Sequence, residues 1–357
     1  MKKKIAFFSS HLGLGGIEKS AISYVNNIDK NKYEVFLFVQ RKQGENLENV
    51  NSDVKIIEYG DSRYKNILFR KIDNLFKLIK FSLKYYHKFY FSAHFATSLK
   101  SGAILSKFFS KNNAIWFHGN YWETNEEGKK YLKYSRATKY KKVVFVSNKL
   151  KEKYLKLYSN TNQKLYVLNN PLDLVEIEKK RKEKIDIKKN KLTFLNVGRH
   201  EEKDKNIFML LNCVRRLIDE GYDFNLWMVG KGKDTDSYKE KVKLLKLENI
   251  VTFFGPQGNA FPFFEKCDAV LLSSRREGNP VVFQEAKLFS KPIITTDVSD
   301  AKIDLEGYGI VTDNNEDAYL KGMKDFLDNG YVVEKHFDVQ KYNQDIINKL
   351  YEIIEKR

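Results

Sequence analysis

The chain has 357 residues with a formal net charge of +18, long for one core and comfortable for two domains, and its 42% hydrophobic content is ample for packed interiors. No apolar run approaches the ~18 residues of a membrane-spanning helix, and after the basic start Met1–Lys4 only Ile5–Phe8 is apolar, too short for a signal peptide, so the cytoplasm is the expected location. Two cysteines, Cys213 and Cys267, make neither a disulfide framework nor a metal site.

In chain order, strands are expected at Lys4–Ser9, Glu34–Gln40, Val54–Tyr59, Tyr90–Phe95, Ala114–His118, Val143–Ser147 and Lys164–Leu168. Helical patterns lie near 16–28, 64–87, 97–109, 126–139 and 148–157. The alternation predicts a parallel, doubly wound sheet over residues 1–174. The charged stretch 175–191 has few apolar residues and reads as a linker. A second round over 192–337 has strands Leu192–Val197, Phe224–Val229, Ile250–Phe254, Ala269–Leu272, Pro292–Thr295 and Gly309–Val311. Its helices fall near 206–219, 237–246, 260–266, 281–289 and 316–328, and residues 338–357 form a last helix rich in Ile, Leu and Tyr.

Positive charge is confined to the first half. Residues 1–190 hold 39 basic and 18 acidic side chains, a net +21, whereas the rest holds 25 and 28, a net −3. Between Asp73 and Glu123 no acidic residue occurs. There Leu68, Ile72, Leu75, Phe76, Ile79 and Leu83 repeat at helical spacing among Arg70, Lys71, Lys77, Lys80 and Lys84. Such a helix suits an anionic membrane surface, where each lysine contributes about 1 kcal/mol. It equally suits a helix whose apolar stripe covers a sheet. Nucleic acid is not expected, since no nucleic-acid motif accompanies the charge.

Three strand-to-helix turns carry the chemistry. Gly13, Gly15 and Gly16 follow the first strand, letting backbone amides approach phosphate oxygens. A dinucleotide fingerprint would need glycine where Glu18 stands and an acid where Gln40 stands, so a nicotinamide site is not expected. Next, Gly198-Arg199-His200 begins a loop through Lys203 and Lys205, cations able to meet the two phosphates of a departing nucleotide. Finally, Glu277-Gly278-Asn279-Pro280-Val281 leads to Glu285 after the apolar strand Ala269–Leu272. Asn279 suits an N-cap and Pro280 the first helical position, leaving amides free for a ligand. Glu277 and Glu285 each offer two acceptor oxygens for vicinal hydroxyls. Each turn also has a plainer reading, as a tight connection or a solvated loop. Asp234-Thr235-Asp236 reads as a loop feature rather than a metal site.

The segment Gly255–Gly278, with Asp268 separated by four residues from Ser273-Ser274 and the Glu277-x7-Glu285 element, resembles the donor-binding half of family-4 retaining glycosyltransferases. Asn259-Ala260-Phe261-Pro262 stands for that family's Asn-Pro-x-Pro turn with its first proline lost, and Asn170-Pro171-Leu172-Asp173 for its Asn-Pro-x-Asp turn. The resemblance implies a GT-B fold, two Rossmann-like doubly wound α/β domains facing a central cleft, with the last helix crossing back to the N-terminal domain. It implies donor binding by Gly15, Gly16, Gly278, Asn279, Pro280, Val281 and Glu285, and chemistry at Glu277, Arg199, Lys205 and His118. Relatives place a lysine five residues after the arginine; here Lys203 is four away and Lys205 six, and Lys205 is favoured because Asn206 then starts the helix. His118, ending a strand after Trp116-Phe117, reads equally as a structural hydrogen-bonder or a contact of the transferred sugar.

The same resemblance implies a retaining transferase, independent of metal and of any bound cofactor, whose co-substrate is a nucleotide-diphosphate sugar, UDP-linked. The basic, aromatic N-terminal half fits a lipid-linked or anionic glycan acceptor at the inner face of the plasma membrane, as in capsule, exopolysaccharide or teichoic-acid assembly, with a soluble acceptor as the rival. The competing expectation is a catalytically silent subunit that supports another transferase.

Overall fold

The computed structural model describes all residues except 14, 61–65, 96–99, 120–131, 133–135, 184–186 and 357, and the side chains of residues 100 and 101. The helix expected near 126–139 lies mostly outside the described residues. The chain forms two compact units, Met1–Asp173 with Gln340–Arg357, and Leu174–Val339.

Unit 1 contains strands β1 (Lys3–Ser9), β2 (Tyr33–Val39), β3 (Lys55–Glu58), β4 (Phe91–Phe95), β5 (Asn113–Phe117), β6 (Lys142–Phe145) and β7 (Lys164–Val167), with helices α1 (Gly16–Asn27), α2 (Ile67–Tyr85), α3 (Lys100–Phe109) and α4 (Asn148–Leu157). Its sheet runs β3-β2-β1-β4-β5-β6-β7, every pair parallel. Central strands of such a sheet are buried on both faces, which is why Ile5–Phe8 and Ala114–Phe117 are unbroken apolar runs at 0% exposure.

Unit 2 begins with α5 (Leu174–Arg181), followed by β8 (Thr193–Val197), α6 (Glu202–Lys205), α7 (Ile207–Asp219), β9 (Asn225–Val229), α8 (Thr235–Leu244), β10 (Val251–Gly255), α9 (Phe261–Lys266), β11 (Ala269–Leu272), α10 (Val281–Leu288), β12 (Ile293–Thr296), α11 (Ala301–Asp304), β13 (Gly309–Thr312) and α12 (Glu316–Asn329). Its parallel order is β10-β9-β8-β11-β12-β13. In both units the order reverses beside the first strand, between β1 and β4 and between β8 and β11, and ligands of open α/β sheets bind at such switch points. Two Rossmann-like parallel sheets of this order make the GT-B fold.

The stretch read as a linker is partly structured. Its first residues form α5, where Ile177 is buried, Lys180 donates to Gly258 O at 2.7 Å and Asn259 donates to Lys180 O at 2.7 Å. One buried apolar residue per helix is too weak a signal to show against so many charges.

Helix α2 differs from the covering-helix expectation more deeply. Leu78, Phe81 and Tyr85 pack on the aromatic cluster of Phe8, Phe38, Phe89 and Phe109, while Lys77 pairs with Asp73 at 2.9 Å. The stripe read from the sequence points the other way: Leu68, Ile72, Leu75, Phe76, Ile79 and Leu83 are all exposed, Leu83 by 74%.

The last helix, α13 (Val339–Glu355), buries Ile346, Ile347, Leu350, Ile353 and Ile354 in the core of unit 1. Asn343 clamps the Asn170–Asp173 turn, accepting from Leu172 N at 2.9 Å and donating to Leu172 O at 2.7 Å. At the end of α13, Glu355 accepts from Lys3 Nζ at 2.5 Å, Tyr33 OH at 2.6 Å and Tyr90 OH at 2.7 Å. Burial would raise its pKa, but these three donors override that and hold it at about 2, below the ordinary 4.5. A depressed carboxylate stabilises the fold above its unfolded pKa and loses that contribution as pH falls through the folded one. Unfolding by denaturant, followed across pH 4.5 to 2, should therefore show a shallower loss of stability in Glu355→Gln than in the wild type, with the variant already less stable at pH 7.

Candidate functional site

The loop after β8 and the loop after β11 meet, because these strands are neighbours in unit 2 although two strands' worth of chain separates them. Lys205, at the end of α6, places its Nζ 2.5 Å from Glu277 Oε1, and Ser274 Oγ donates to the same oxygen at 2.7 Å. The lysine stem runs past Gly198. Ser273 Oγ fastens Lys205 O at 2.9 Å, so the two serines hold both ends of the ion pair. Thr296 Oγ1 donates to Ser274 O and Ser299 Oγ to Gly278 O, both at 2.5 Å, tying the Glu277 loop to the neighbouring strand end. Among the described residues, both bonds to Glu277 fall on Oε1. Oε2 is left to accept from a ligand hydroxyl.

Lys203, the alternative lysine, is exposed. Lys205, six residues after Arg199, is the one brought to Glu277. Arg199 does not join them: its side chain is 72% exposed and its nearest carboxylate is Glu201 at 3.6 Å. Its loop is nevertheless tightly held. Gly230, at φ 136°, packs directly on the carbonyl of Gly198, where a Cβ would collide, and His200 N donates to Lys231 O at 3.1 Å.

At the start of α10 the helix begins one residue later than expected. Pro280, rather than Asn279, is the capping residue, with ψ 117°, and Val281 is the first helical position. Phe283 N donates to Pro280 O at 3.1 Å. Val281 and Val282 come before Phe283, the first intrahelical donor, and so carry N–H groups available to a ligand. Gly278, Asn279 and Pro280 are buried beneath them, and Glu285 is half-buried one turn on.

In unit 1, Gly15 caps α1 and Gly16 opens it. The Glu18 carboxylate occupies the space over the Gly15 Cα, with His11 Nε2 at 4.0 Å from its Oε1. An anion approaching Gly15 must displace it. His118 lies just past β5 and is buried, and neither ring nitrogen has a partner among the described residues. Burial pulls its imidazole down to about 3 from the ordinary 6.5.

Sequence patterning missed Ser273 and Ser274 as supports of the site; a serine pair directly after an apolar strand and three residues before Glu277 was the available signal. Asp234 has a local task, accepting from Glu202 N at 2.7 Å where α6 begins.

Residues 177–347 match the family described as Glycosyl transferases group 1. An uncharacterized glycosyltransferase of Haemophilus influenzae is 25% identical over 92% of this chain and 91% of its own length. An uncharacterized glycosyltransferase of Methanocaldococcus jannaschii is 25% identical over 54% of this chain, which spans only 51% of that protein. The amylovoran biosynthesis glycosyltransferase AmsD of Erwinia amylovora is 27% identical over 31% of this chain and 32% of its own. Among solved structures, Anabaena HepE in complex with UDP and glucose superposes with a TM-score of 0.74 at 16% identity, covering 98% of this chain and 99% of that one. The lipopolysaccharide outer core galactosyltransferase WaaB in its apo form gives 0.69 at 18% identity, with the same coverage.

A buried imidazole with a pKa of about 3 is neutral throughout the physiological range, and its contribution to stability is lost only as pH falls from about 6.5 toward 3. The ring resonances of His118 in a histidine-labelled sample should stay flat between pH 5 and 8.

Proposed function

We propose that this glycosyltransferase takes a UDP-linked sugar on unit 2 and transfers it, with retention at the anomeric carbon, to a lipid-linked or other glycan acceptor on unit 1 in cell-surface polysaccharide assembly. The observation that carries the donor half is Glu277, its Oε1 fixed by Lys205 and Ser274, on the loop that leads into α10. Breaking the anomeric bond leaves negative charge on the diphosphate and positive charge on the ring. Lys205 is poised for the first and the Glu277 carboxylate for hydroxyls of the second, and groups already in place need not reorganise as the charge develops. Arg199, with its side chain exposed and able to swing, supplies the second cation. Glu285 accepts the ribose hydroxyls, and the Asn279–Val281 turn orients the sugar.

On unit 1, Gly15 and Gly16 take diphosphate oxygens once the Glu18 carboxylate moves aside, and His118 takes a sugar hydroxyl. A neutral imidazole both donates and accepts, which suits a hydroxyl better than a phosphate. With two cations and helix-start amides facing the leaving group, the reaction needs no divalent metal and no further cofactor. Retention fits the setting of Glu277: a carboxylate engaged by Lys205 and Ser274 is a poor nucleophile, so the acceptor attacks from the face the nucleotide leaves. UDP and glucose in the HepE structure, and the tasks named for AmsD and WaaB, support the donor and the glycan setting.

The exposed apolar stripe of α2 supports the lipid-linked acceptor. No described helix is long and apolar enough to cross a membrane. A helix that turns eight large apolar side chains outward, with Arg70, Lys71, Lys80 and Lys84 exposed among them, suits the interface of an anionic bilayer. Unit 1 would thereby sit at the inner membrane face where such acceptors lie.

UDP-glucose at 100 times its dissociation constant should stabilise the protein by about 2.7 kcal/mol in a thermal shift. Glu277→Ala should lower the rate of sugar release from the donor by about 10²–10³, while UDP alone still shifts the variant. Indifference of the wild type to every nucleotide sugar would sink the donor assignment. A full nucleotide-sugar shift with no turnover would favour the silent-subunit reading.

A further inference from the structure

Below the end of α2 lies a cavity of about 250 Å³ lined by Tyr86, His87, Ile104, Lys107, Phe108 and Arg136. Its residues sit where α2 and α3 end and just before β6, at the edge where the strands of unit 1 begin. Gly15 and His118 lie at the edge where strands end. The cavity therefore belongs to neither the donor nor the reacting end of an acceptor. It is also smaller than the ~300–1,000 Å³ of a site that engulfs a whole small molecule, so it suits a headgroup.

Its electrostatics call for an anion. Among the described residues neither Lys107 nor Arg136 pairs with a carboxylate. Burial lowers the pKa of Lys107, and the neighbouring Arg136 and Lys139 lower it further, so like charges are held together with only the Tyr140 ring, 5.9 Å from Lys107 Nζ, facing the ammonium. The walls are aromatic and rigid: the rings of Tyr86 and His87 stack at 4.0 Å, Tyr86 stands 6.3 Å from Phe108, and His87 N donates to Phe108 O at 2.9 Å. His87 holds a left-handed φ of 50°, which turns the chain sharply off the end of α2. Tyr86 and Phe108 are 54% and 43% exposed, and through Tyr86 the rim continues directly into the exposed stripe of α2.

We propose that this cavity seats the phosphate of an anionic phospholipid while the apolar face of α2 enters the same bilayer leaflet. The inference rests on the membrane-facing reading of unit 1 and adds a defined site to it. A free phosphate would have no use for the row of apolar side chains that leads into the cavity, whereas a lipid supplies both chemistries at once. Lys107 and Arg136 meet the phosphate oxygens, Tyr86 and Phe108 flank the glycerol region, and Leu83 and Ile79 continue into the acyl chains.

The test is flotation of the full chain with phosphatidylcholine vesicles, with and without phosphatidylglycerol, comparing two double variants that remove equal charge. Lys80→Ala with Lys84→Ala strips diffuse charge from α2 and should weaken partitioning about 30-fold, at about 1 kcal/mol per lysine. Lys107→Ala with Arg136→Ala should weaken it by about 100-fold or more, and Lys107→Arg alone should retain binding. The seat is overturned if the cavity pair loses no more than the α2 pair, or if the wild type ignores phosphatidylglycerol. Each variant must keep the wild-type circular dichroism and the UDP-sugar thermal shift; where the alanine pair does not, Lys107→Gln with Arg136→Gln takes its place. A protein that answers to UDP-sugar and ignores anionic vesicles keeps the transferase reading and loses this one.

Discussion

The ion pair between Lys205 and Glu277 is the contact on which the candidate site depends, and sheet order is what makes it. β8 and β11 lie side by side, but the chain leaves β8 toward β9 on one side and leaves β11 toward β12 on the other. Their following loops are thus not drawn away together, and a crevice opens between them. A cation on one loop and a carboxylate on the other then face across a gap that backbone alone would not fill. Ser273 and Ser274 convert that encounter into fixed geometry by binding the lysine backbone and the glutamate oxygen. Each of the two charged groups keeps the other in place for a ligand. Removing either would leave the remaining charge half-buried and uncompensated, a worse arrangement than losing both.

Unit 1 obeys a different constraint. Burial of apolar surface is the main force in folding, yet α2 turns its widest apolar stripe to solvent and packs through the narrower one of Leu78, Phe81 and Tyr85. The aromatic cluster beneath explains the choice: Phe38, Phe89 and Phe109 form stacked and edge-on pairs that accept Tyr85 at 5.1–5.9 Å, a specific fit that the aliphatic face cannot supply. What remains outside is a row of large apolar side chains with exposed Arg70, Lys71, Lys80 and Lys84 among them. The charge asymmetry of the sequence and the exposed stripe of the fold are two aspects of one surface.

These cases mark how far the chain could be read in advance. The thirteen expected strands all form, within about two residues; the central ones, buried on both faces, are continuous apolar runs bounded by polar turns. Lys205 and Glu277 were legible as residue types at the ends of such strands. Their contact was not, since it arises from strand order rather than local pattern. The period of α2 was plain, but periodicity locates a stripe without saying which way it faces. With two apolar rows on one helix, the partner decides. Pro280 falls one position earlier in the cap than expected because its fixed φ fits both places and only its ψ distinguishes them. Helix α5 was hidden by its charges, being held by hydrogen bonds to Gly258 and Asn259 more than by burial.

The C-terminal helix adds a consequence for folding. Unit 2 is one uninterrupted stretch, Leu174–Val339, so its core can assemble as soon as that stretch exists. Unit 1 is split, and five of its core side chains, from Ile346 to Ile354, follow unit 2 in the chain. Lys142 shows how much waits on them. Its ammonium is buried, donating to Asn112 Oδ1 at 2.5 Å and to the carbonyl of Ile353, and burial holds its pKa at about 8. The carbonyl that holds it comes from α13, whose leucine and isoleucines complete the core of unit 1. Glu355 then locks the end of the helix to the first strand through Lys3 and to its neighbours through Tyr33 and Tyr90. The sheet that carries His118 and the start of α1 is thus completed by the last turn of the chain.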